Sequence, residues 1–328
     1  MREVRLSDAR VCQAQVWRAQ ARRVRWGRRG RARYRTHGRG ARSSGTATPR
    51  VRYAARDMPT ISGAVADDID GPSPLPADDP GLFELDLRGL RRRWADRAAL
   101  APIGGEAMTG TDRRAQALGI AEERLMEHAG TAVAAAVRAL AVDVERWGTG
   151  PIVILCGPGN NGGDGMVAAR RLALAGARVV VAIIARDTKP RNPSSARNWD
   201  RIARDAGITK VHAPVARDVA KFGQGIEKAA VIVDALLGTG VRGPLREPIR
   251  GAVELIERAR ATGIPVVAVD TPTAVDLSSG EPSDPAVRAD LTVTFHRPKT
   301  GLLTRRGRAH AGKVLVAPIG IPPEADRG

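Results

Sequence analysis

From residue 151 onward, short apolar runs alternate with longer stretches in which apolar positions recur at helical spacing. The apolar runs fall at 151–155, 178–184, 209–212, 230–234, 264–269, 290–295 and 313–317, are rich in Val and Ile, and have the length of strands. Helical segments are expected between the earlier ones, near 164–175, 195–206, 217–228 and 247–262. Strands apolar at every position are buried on both faces, so the pattern predicts a mostly parallel sheet sandwiched between helices. Upstream, "TDRRAQALGIAEERLMEHAGTAVAAAVRALA" sets Leu125, Met126, Ala129, Val133 and Val137 at helical spacing, and "LFELDLRGLRRRWADRAAL" predicts a shorter, charged helical segment. No internal repeat is visible.

Composition changes the picture only at the front of the chain. The 328 residues carry a formal charge of +18, but residues 1–57 alone hold 17 Arg and no Lys against three acids. The remaining chain, with 36 bases against 32 acids, is nearly balanced. Arg alternating with Gly, Ser and other small residues buries too little apolar area to offset its ordering entropy, so disorder is expected there. As a nucleic-acid arm this segment would offer Trp17, Trp26 and Tyr34 for stacking; as an incidental tail it has no partner, which is the reading adopted. A Pro/Asp/Gly-rich linker at 58–80, a domain at 81–322 and a C-terminal tail at 323–328 complete the expected organisation. Two cysteines, Cys12 and Cys156, form no legible disulfide framework, and a reducing, cytoplasmic setting is expected. No run of about 18 apolar residues suggests a membrane span.

In open parallel sheets ligands bind beyond the carboxyl ends of the strands. Three polar turns follow expected strand ends: "GPGNNGGDG", "DALLGTGVRGP" and "DTPTAVDLSSG". All three are therefore expected along one edge. Gly157, Gly159 and Gly162 fit G-x-G-x-x-G, but the nearest acid for a ribose, Asp187, lies 25 residues beyond Gly162. Asp164, near the expected helix start, would repel a pyrophosphate there. A dehydrogenase reading accordingly loses ground. Asn160 and Asn161 instead offer amide oxygens and Asp164 a carboxylate to a ligand or hard cation, with Asp234, Thr239 and Thr273 adding oxygens; alternatively the asparagines only brace the turn. With one carboxylate nearby, a monovalent ion suits the set better than magnesium.

Asp270, leaving a very apolar strand just before a proline, is a candidate general acid or base, or else a turn cap. Asp276 is expected to cap or solvate the same turn. Arg242, Arg246 and Lys299 are candidate phosphate contacts, although arginines on a surface loop are equally well explained as solvated. His128 reads as a packing histidine and Cys156 as a buried strand-end thiol. No phosphate-binding G-x-x-x-x-G-K-[ST], no G-x-S-x-G and no zinc pattern occurs.

"GPGNNGGDGMVAARRL", "VDALLGTGVRGPL", "VVAVDTPTAVD" and "ADLTVTFHRPKTGLL", in this order, resemble the NAD(P)H-hydrate epimerases, and "DRRAQALGIAEERLMEHAGTAVA" is similar to their N-terminal helix. The resemblance spans roughly residues 105–322. It implies a three-layer αβα Rossmann-like fold, here preceded by the Arg-rich extension, and an isomerase that interconverts the R and S forms of hydrated NADH or NADPH for a separate dehydratase. Carried over by position, Asn160, Asn161, Gly162, Gly163 and Asp164 would hold the hydrated nucleotide together with Gly238, Thr239, Gly240, Val241, Arg242, Gly243 and Pro244. Asp270 lies beside it as the catalytic group, with Asp164 the second choice. Asn161, Asp234 and Thr273 would bind potassium, and a homodimer is compatible with the family. The family pattern D-I-P-S-G-[LV]-D reads Asp270, Thr271, Pro272, Thr273, Ala274, Val275, Asp276 here, so Ala274 stands where glycine is usual. His128 replaces the asparagine of a common "MENAG" element. A competing reading keeps the fold without catalysis, as a nucleotide- or RNA-binding scaffold served by the Arg-rich arm. Retention of Asn161, Asp164, Asp234 and Asp270 favours the enzyme.

Overall fold

The computed structural model describes residues 74–238 and 244–327. The expectations for the Arg-rich segment and most of the linker, and those for Thr239, Gly240, Val241, Arg242 and Gly243, lie outside the described residues.

Among the described residues seven strands form one sheet, every neighbouring pair parallel: β1 (Ile152–Cys156), β2 (Val179–Ile183), β3 (Ile208–His212), β4 (Val231–Ala235), β5 (Val266–Val269), β6 (Leu291–Phe295) and β7 (Lys313–Ala317). All seven coincide with the expected apolar runs to within two residues at either end. Their spatial order is β3-β2-β1-β4-β5-β6-β7, so the direction of progress reverses between β1 and β4. At such a reversal the loops leaving the two strands diverge to opposite faces and leave a crevice between them. Leu155 and Cys156 of β1 pair with Asp234 and Ala235 of β4, which brings their carboxyl ends level.

Because side chains alternate across a strand, each strand feeds two cores. On one face Ile152, Ile154 and Cys156 join a core with two helices, α4 (Glu122–Asp143) and α5 (Asn160–Leu174). On the other, Val153 and Leu155 meet α7 (Ala216–Phe222) and α8 (Ile249–Ala261) through Val219, Val253 and Ile256. The remaining helix on this part of the chain, α6 (Pro193–Ile202), is capped by the Asn192 side chain, which accepts from Ser195 N at 3.0 Å. The result is the expected three-layer αβα arrangement. Each valine or isoleucine fully enclosed contributes roughly 1.5–3 kcal/mol relative to exposure, so the sheet interior dominates stability.

The N-terminal helices α1 (Leu87–Arg93), α2 (Ala95–Ala98) and α3 (Gly105–Ala117) lead into α4. By length and composition α4 would suit a bilayer crossing, but 83% of its apolar stretch is buried inside the domain. It is a core helix whose run of alanines allows close approach to its neighbours. Two short helices, α9 (Thr300–Leu303) and α10 (Arg305–Ala311), connect β6 to β7.

Packing extends past both expected edges of the domain. Before residue 81, Pro76 is buried, Ala77 N donates to His128 Nδ1 at 3.2 Å, and Asp79 pairs with Arg93 at 2.9 Å. After residue 322, Ala325 is buried and Asp326 pairs with Arg297 at 3.0 Å and His296 at 3.1 Å. Small polar anchors hold these flanks, and hydrophobic periodicity does not register such anchors.

Candidate functional site

The segment read as a polar turn is mostly helix. The structure begins α5 at Asn160 rather than near residue 164, making Asn160 to Asp164 its opening residues. Two glycines explain why the start is hard to read. A Cβ on Gly162 would lie 2.0 Å from Gly157 O, and one on Gly163 would lie 2.4 Å from Ser195 Oγ and 2.6 Å from Met126 Cε. Glycine is disfavoured in helices but required where backbone and side chains approach this closely. Gly162 and Gly163 therefore pack the helix start against β1 and α6 and do not line the cavity.

The neighbouring residues do face it. Asn160, Asn161, Asp164, Gly238 and Asp270 line one cavity of about 470 Å³ at the carboxyl ends of β1, β4 and β5. Its apolar wall comes from Met108, Leu125, Met126, Phe295 and Ile319. A concave apolar site with a few converging polar groups is the usual form of a small-molecule pocket.

Asn160 and Asp234 are fixed from behind by hydrogen bonds. Asn160 Nδ2 donates to Glu122 Oε1 at 2.7 Å, and the same carboxylate accepts from Asn192 Nδ2 at 3.0 Å, so the first residue of α4 ties the loops after β1 and β2 together. Asn161 lies against Gly238, where a Cβ would sit 3.3 Å from its Oδ1; its Nδ2 is buried without a partner among the described residues. Asp234 is wholly buried. Its Oδ1 accepts from Thr273 Oγ1 at 2.7 Å and Leu236 N at 3.2 Å, and its Oδ2 from Thr273 N at 2.7 Å. Thr273 Oγ1 also accepts from Leu237 N at 3.1 Å. Burial, countered in part by the Thr273 bonds, pushes the Asp234 carboxyl up to about 6.

Asp270 and Ala274 both hold left-handed backbone, with φ of 62° and 73°. Such torsions cost a residue with a Cβ about 1–3 kcal/mol. The strained turn directs Asp270 to the cavity, where its Oδ1 accepts from Thr294 Oγ1 at 2.9 Å and lies 3.3 Å from Lys299 Nζ. Asp276 braces the same turn, Oδ1 accepting from Ser278 N at 3.0 Å and Ser279 N at 2.7 Å, as expected.

Several sequence expectations land elsewhere. Lys299, read as a phosphate contact, is 1% exposed, and Nζ donates to Thr294 Oγ1, Phe295 O and Arg297 O. An ammonium so enclosed serves Asp270, not a surface phosphate. Pro244 is exposed outside the cavity, and Arg246 is likewise exposed. Asp187, the misplaced ribose acid, pairs with Arg191 at 2.7 Å. Cys156 is buried, which pushes its thiol up, and His128 is a packing residue, 2% exposed.

Two further acids line the cavity that sequence reasoning missed, Asp112 and Glu122. Asp112 sits in the interior of α3 among the charged residues Arg113 and Arg114, away from the strand ends where the sequence points to a site. Burial, the Asp270 charge and Glu122 push its carboxyl up to about 7 against the opposing pull of Lys299. Burial and the Asp270, Asp112 and Glu122 charges push Asp164 well above the usual carboxylate range.

The family model described as YjeF-related protein N-terminus matches residues 122–301. The chain belongs to this family. Among YjeF-related proteins, an NAD(P)H-hydrate epimerase of Cenarchaeum symbiosum is 36% identical over 226 residues, covering 69% of this chain and 98% of the relative. The bifunctional NAD(P)H-hydrate repair enzyme Nnr of Pyrobaculum aerophilum is 43% identical over 215 residues, covering 66% of this chain; the match spans 41% of that longer protein. The solved structure of yeast ynu0 superposes with a TM-score of 0.54 at 28% identity, covering 62% of this chain and 83% of the yeast chain.

Proposed function

We propose that this protein is an isomerase that interconverts the R and S epimers of hydrated NADH and NADPH. The observation that carries this reading is the single cavity into which Asn161, Asp164, Gly238 and Asp270 converge from three strand ends. The relatives named for NAD(P)H-hydrate epimerisation and repair support it.

The substrate carries a hydroxyl on a ring carbon, and inversion there requires either loss of the hydroxyl as water and its return to the opposite face, or opening of the ring C–N bond to a carbonyl and reclosure on the opposite face. Either route needs a proton given to the departing atom, the oxygen in the first and the ring nitrogen in the second, and a proton accepted on return. We assign this role to Asp270, which lines the cavity, with Asp164 as the alternative. The apolar wall excludes bulk water around the ring, while Asn160 and Asn161 at the start of α5 and Gly238 after β4 position the nucleotide; Gly162 and Gly163 serve by letting that helix start pack closely enough to present the two asparagines. Residues 239–244 are assigned to the same contact by family resemblance.

The family resemblance assigns a potassium ion to the oxygens of Asn161, Asp234 and Thr273; Asn161 lines the cavity, and Asp234 and Thr273 lie buried behind its wall. Asp234 is a fully buried carboxylate with three hydrogen bonds and no ion pair among the described residues, so one positive charge balances it. When bound, the ion would supply fixed positive charge that organises the loops after β1, β4 and β5. A dehydratase acting on one epimer would consume the product and restore the reduced nucleotide in the cytoplasm.

The deciding experiment mixes the protein with pure R-hydrate and an S-specific dehydratase and follows recovery of reduced nucleotide. Epimerisation is expected with the native chain and a loss of about 10²–10⁴-fold with Asp270→Asn. A folded Asp270→Asn protein working at the parental rate would overturn the assignment.

A further inference from the structure

We propose that Asp112 is a second catalytic acid–base residue of this cavity, giving a proton to the departing hydroxyl while Asp270 receives one when water returns. The inference rests on the epimerase reading above and divides its proton chemistry between two side chains.

Three observations carry it. Asp112 lines the same cavity as Asp164 and Asp270, although it comes from α3, outside the sheet. It sits in the interior of that helix, where aspartate is a poor helix former and cannot act as an N-cap. No hydrogen bond or ion pair links its carboxylate to the described residues: Arg114, two positions on, is engaged by Ala325 O at 2.8 Å and Arg327 O at 2.9 Å. A structural role therefore leaves Asp112 unexplained. The cavity also holds the Asn161 amide, with Asn161 8% exposed and its Nδ2 unpartnered, which marks the space as built for a polar ligand.

The charges around Asp112 suit a proton donor. Asp270 after β5, Glu122 on α4 and Asp164 on α5 are all acidic, and Lys299 after β6 is the opposing cation, 3.3 Å from Asp270. Lys299, the one cation acting on Asp112 among the described residues, is thus committed to Asp270, and Asp112 holds its proton up to about pH 7. In the step, the Asp112 proton passes to the leaving oxygen, the C–O electron pair departs with it as water, and the lone pair of the adjacent ring nitrogen forms a C=N bond. Water then adds to the opposite face, the C=N pair returns to nitrogen, and Asp270 takes the released proton. Exchange with solvent resets both carboxyls, and no net redox change occurs.

Asp112→Asn preserves shape and removes the proton. The expected result is a fall in kcat of about 10²–10⁴-fold with KM little changed. The native kcat should decline as pH rises through about 7, the range to which Asp112 is pushed up, and this limb should be absent from the residual activity of the variant. Asp112→Glu, which keeps the acid, should recover part of the rate and the alkaline limb. An Asp112→Asn protein with native kcat and a native alkaline limb overturns the inference. If Asp112→Asn fails to fold, Asp112→Glu decides: a pH limb unmoved from the native one counts against the role, a displaced limb supports it. Failure of the native chain to epimerise would instead overturn the function proposed above.

Discussion

Lys299 Nζ lies 3.3 Å from Asp270 Oδ1, and Thr294 Oγ1 stands between them in the bonding, accepting from the ammonium at 3.0 Å and donating to the carboxylate at 2.9 Å. The ammonium belongs to the fold as much as to the site, because Phe295 O at 2.8 Å and Arg297 O at 3.3 Å accept its other bonds. Lys299→Met would leave Asp270 without its counter-charge and these oxygens without their donor. A loss of about 3–5 kcal/mol is expected, the scale for breaking a buried pair. Asp270→Asn keeps an oxygen for Thr294 and should cost clearly less. Urea unfolding of the two variants side by side checks the order; equal losses would mean that Lys299 is not the structural member of the pair.

The positive φ of Ala274, 73°, yields a prediction of opposite sign. Its Cβ packs partly against the second core, but the left-handed strain outweighs a single methyl contact. Ala274→Gly relieves the strain while adding freedom to the unfolded chain, which offsets part of the gain. A net stabilisation of about 0.5–1 kcal/mol is expected, read as a higher urea midpoint. A lower midpoint would show that the methyl contact matters more than the torsion.

Strand interiors are the part of this protein that the sequence discloses most fully. Strands such as Ile152–Cys156 and Leu291–Phe295 are buried on both faces, and a continuous apolar run can serve little else. That polar residues gather at the carboxyl ends of β1, β4 and β5 is equally readable, because side chains in the crevice need not be apolar; their local conformation is not. The sequence points to turn at Asn160 because the first turn of α5 holds Gly162 and Gly163, whose justification, the Gly157 carbonyl and the Ser195 and Met126 side chains, is tertiary. The burial of Lys299 is not legible, because a lysine next to a proline is normally solvated and only the fold supplies the four oxygens that enclose it. Asp112 was invisible for a simpler reason: it shares its helix with ordinary charged residues, and its function depends on what packs opposite.

Asp112 also predicts a pH dependence of stability that can be measured without substrate. Its folded carboxyl is raised from 3.8 to about 7, so between those values the folded chain holds a proton that the unfolded chain has released. Its contribution therefore favours the folded state at low pH and is lost as pH rises toward 7. Asp112→Asn removes this dependence. The variant should be more stable than the native chain at pH 8 by on the order of 1–2 kcal/mol, after allowance for solvent screening at a partly exposed position, with the difference vanishing near pH 4. Urea titrations at both pH values test it. A variant equally or less stable at pH 8 would mean that Asp112 has an unrecognised partner. The expected trade of stability for a raised carboxyl is the usual cost of an acid poised for catalysis.

The proposed potassium site can likewise be tested without turnover. A ligand that binds only the folded chain stabilises it by RT ln(1 + [L]/Kd), about 1.4 kcal/mol when the ion is tenfold above its Kd. For a domain of this size that raises Tm by roughly 3–5 °C. The native protein is expected to melt higher in potassium chloride than in lithium chloride at equal ionic strength, since general screening is shared and only the larger ion suits a site of carbonyl, hydroxyl and carboxylate oxygens. Thr273→Ser keeps the hydroxyl that bonds Asp234 at 2.7 Å and should retain the difference. Thr273→Val removes that hydroxyl, leaves the Leu237 amide unmatched, and should lower stability by about 1–3 kcal/mol while abolishing the preference for potassium. Asp234→Asn should abolish the preference too. If all four proteins show the same salt response, the oxygens of Asn161, Asp234 and Thr273 hold no cation and serve only to tie the loop after β4 to the turn after β5.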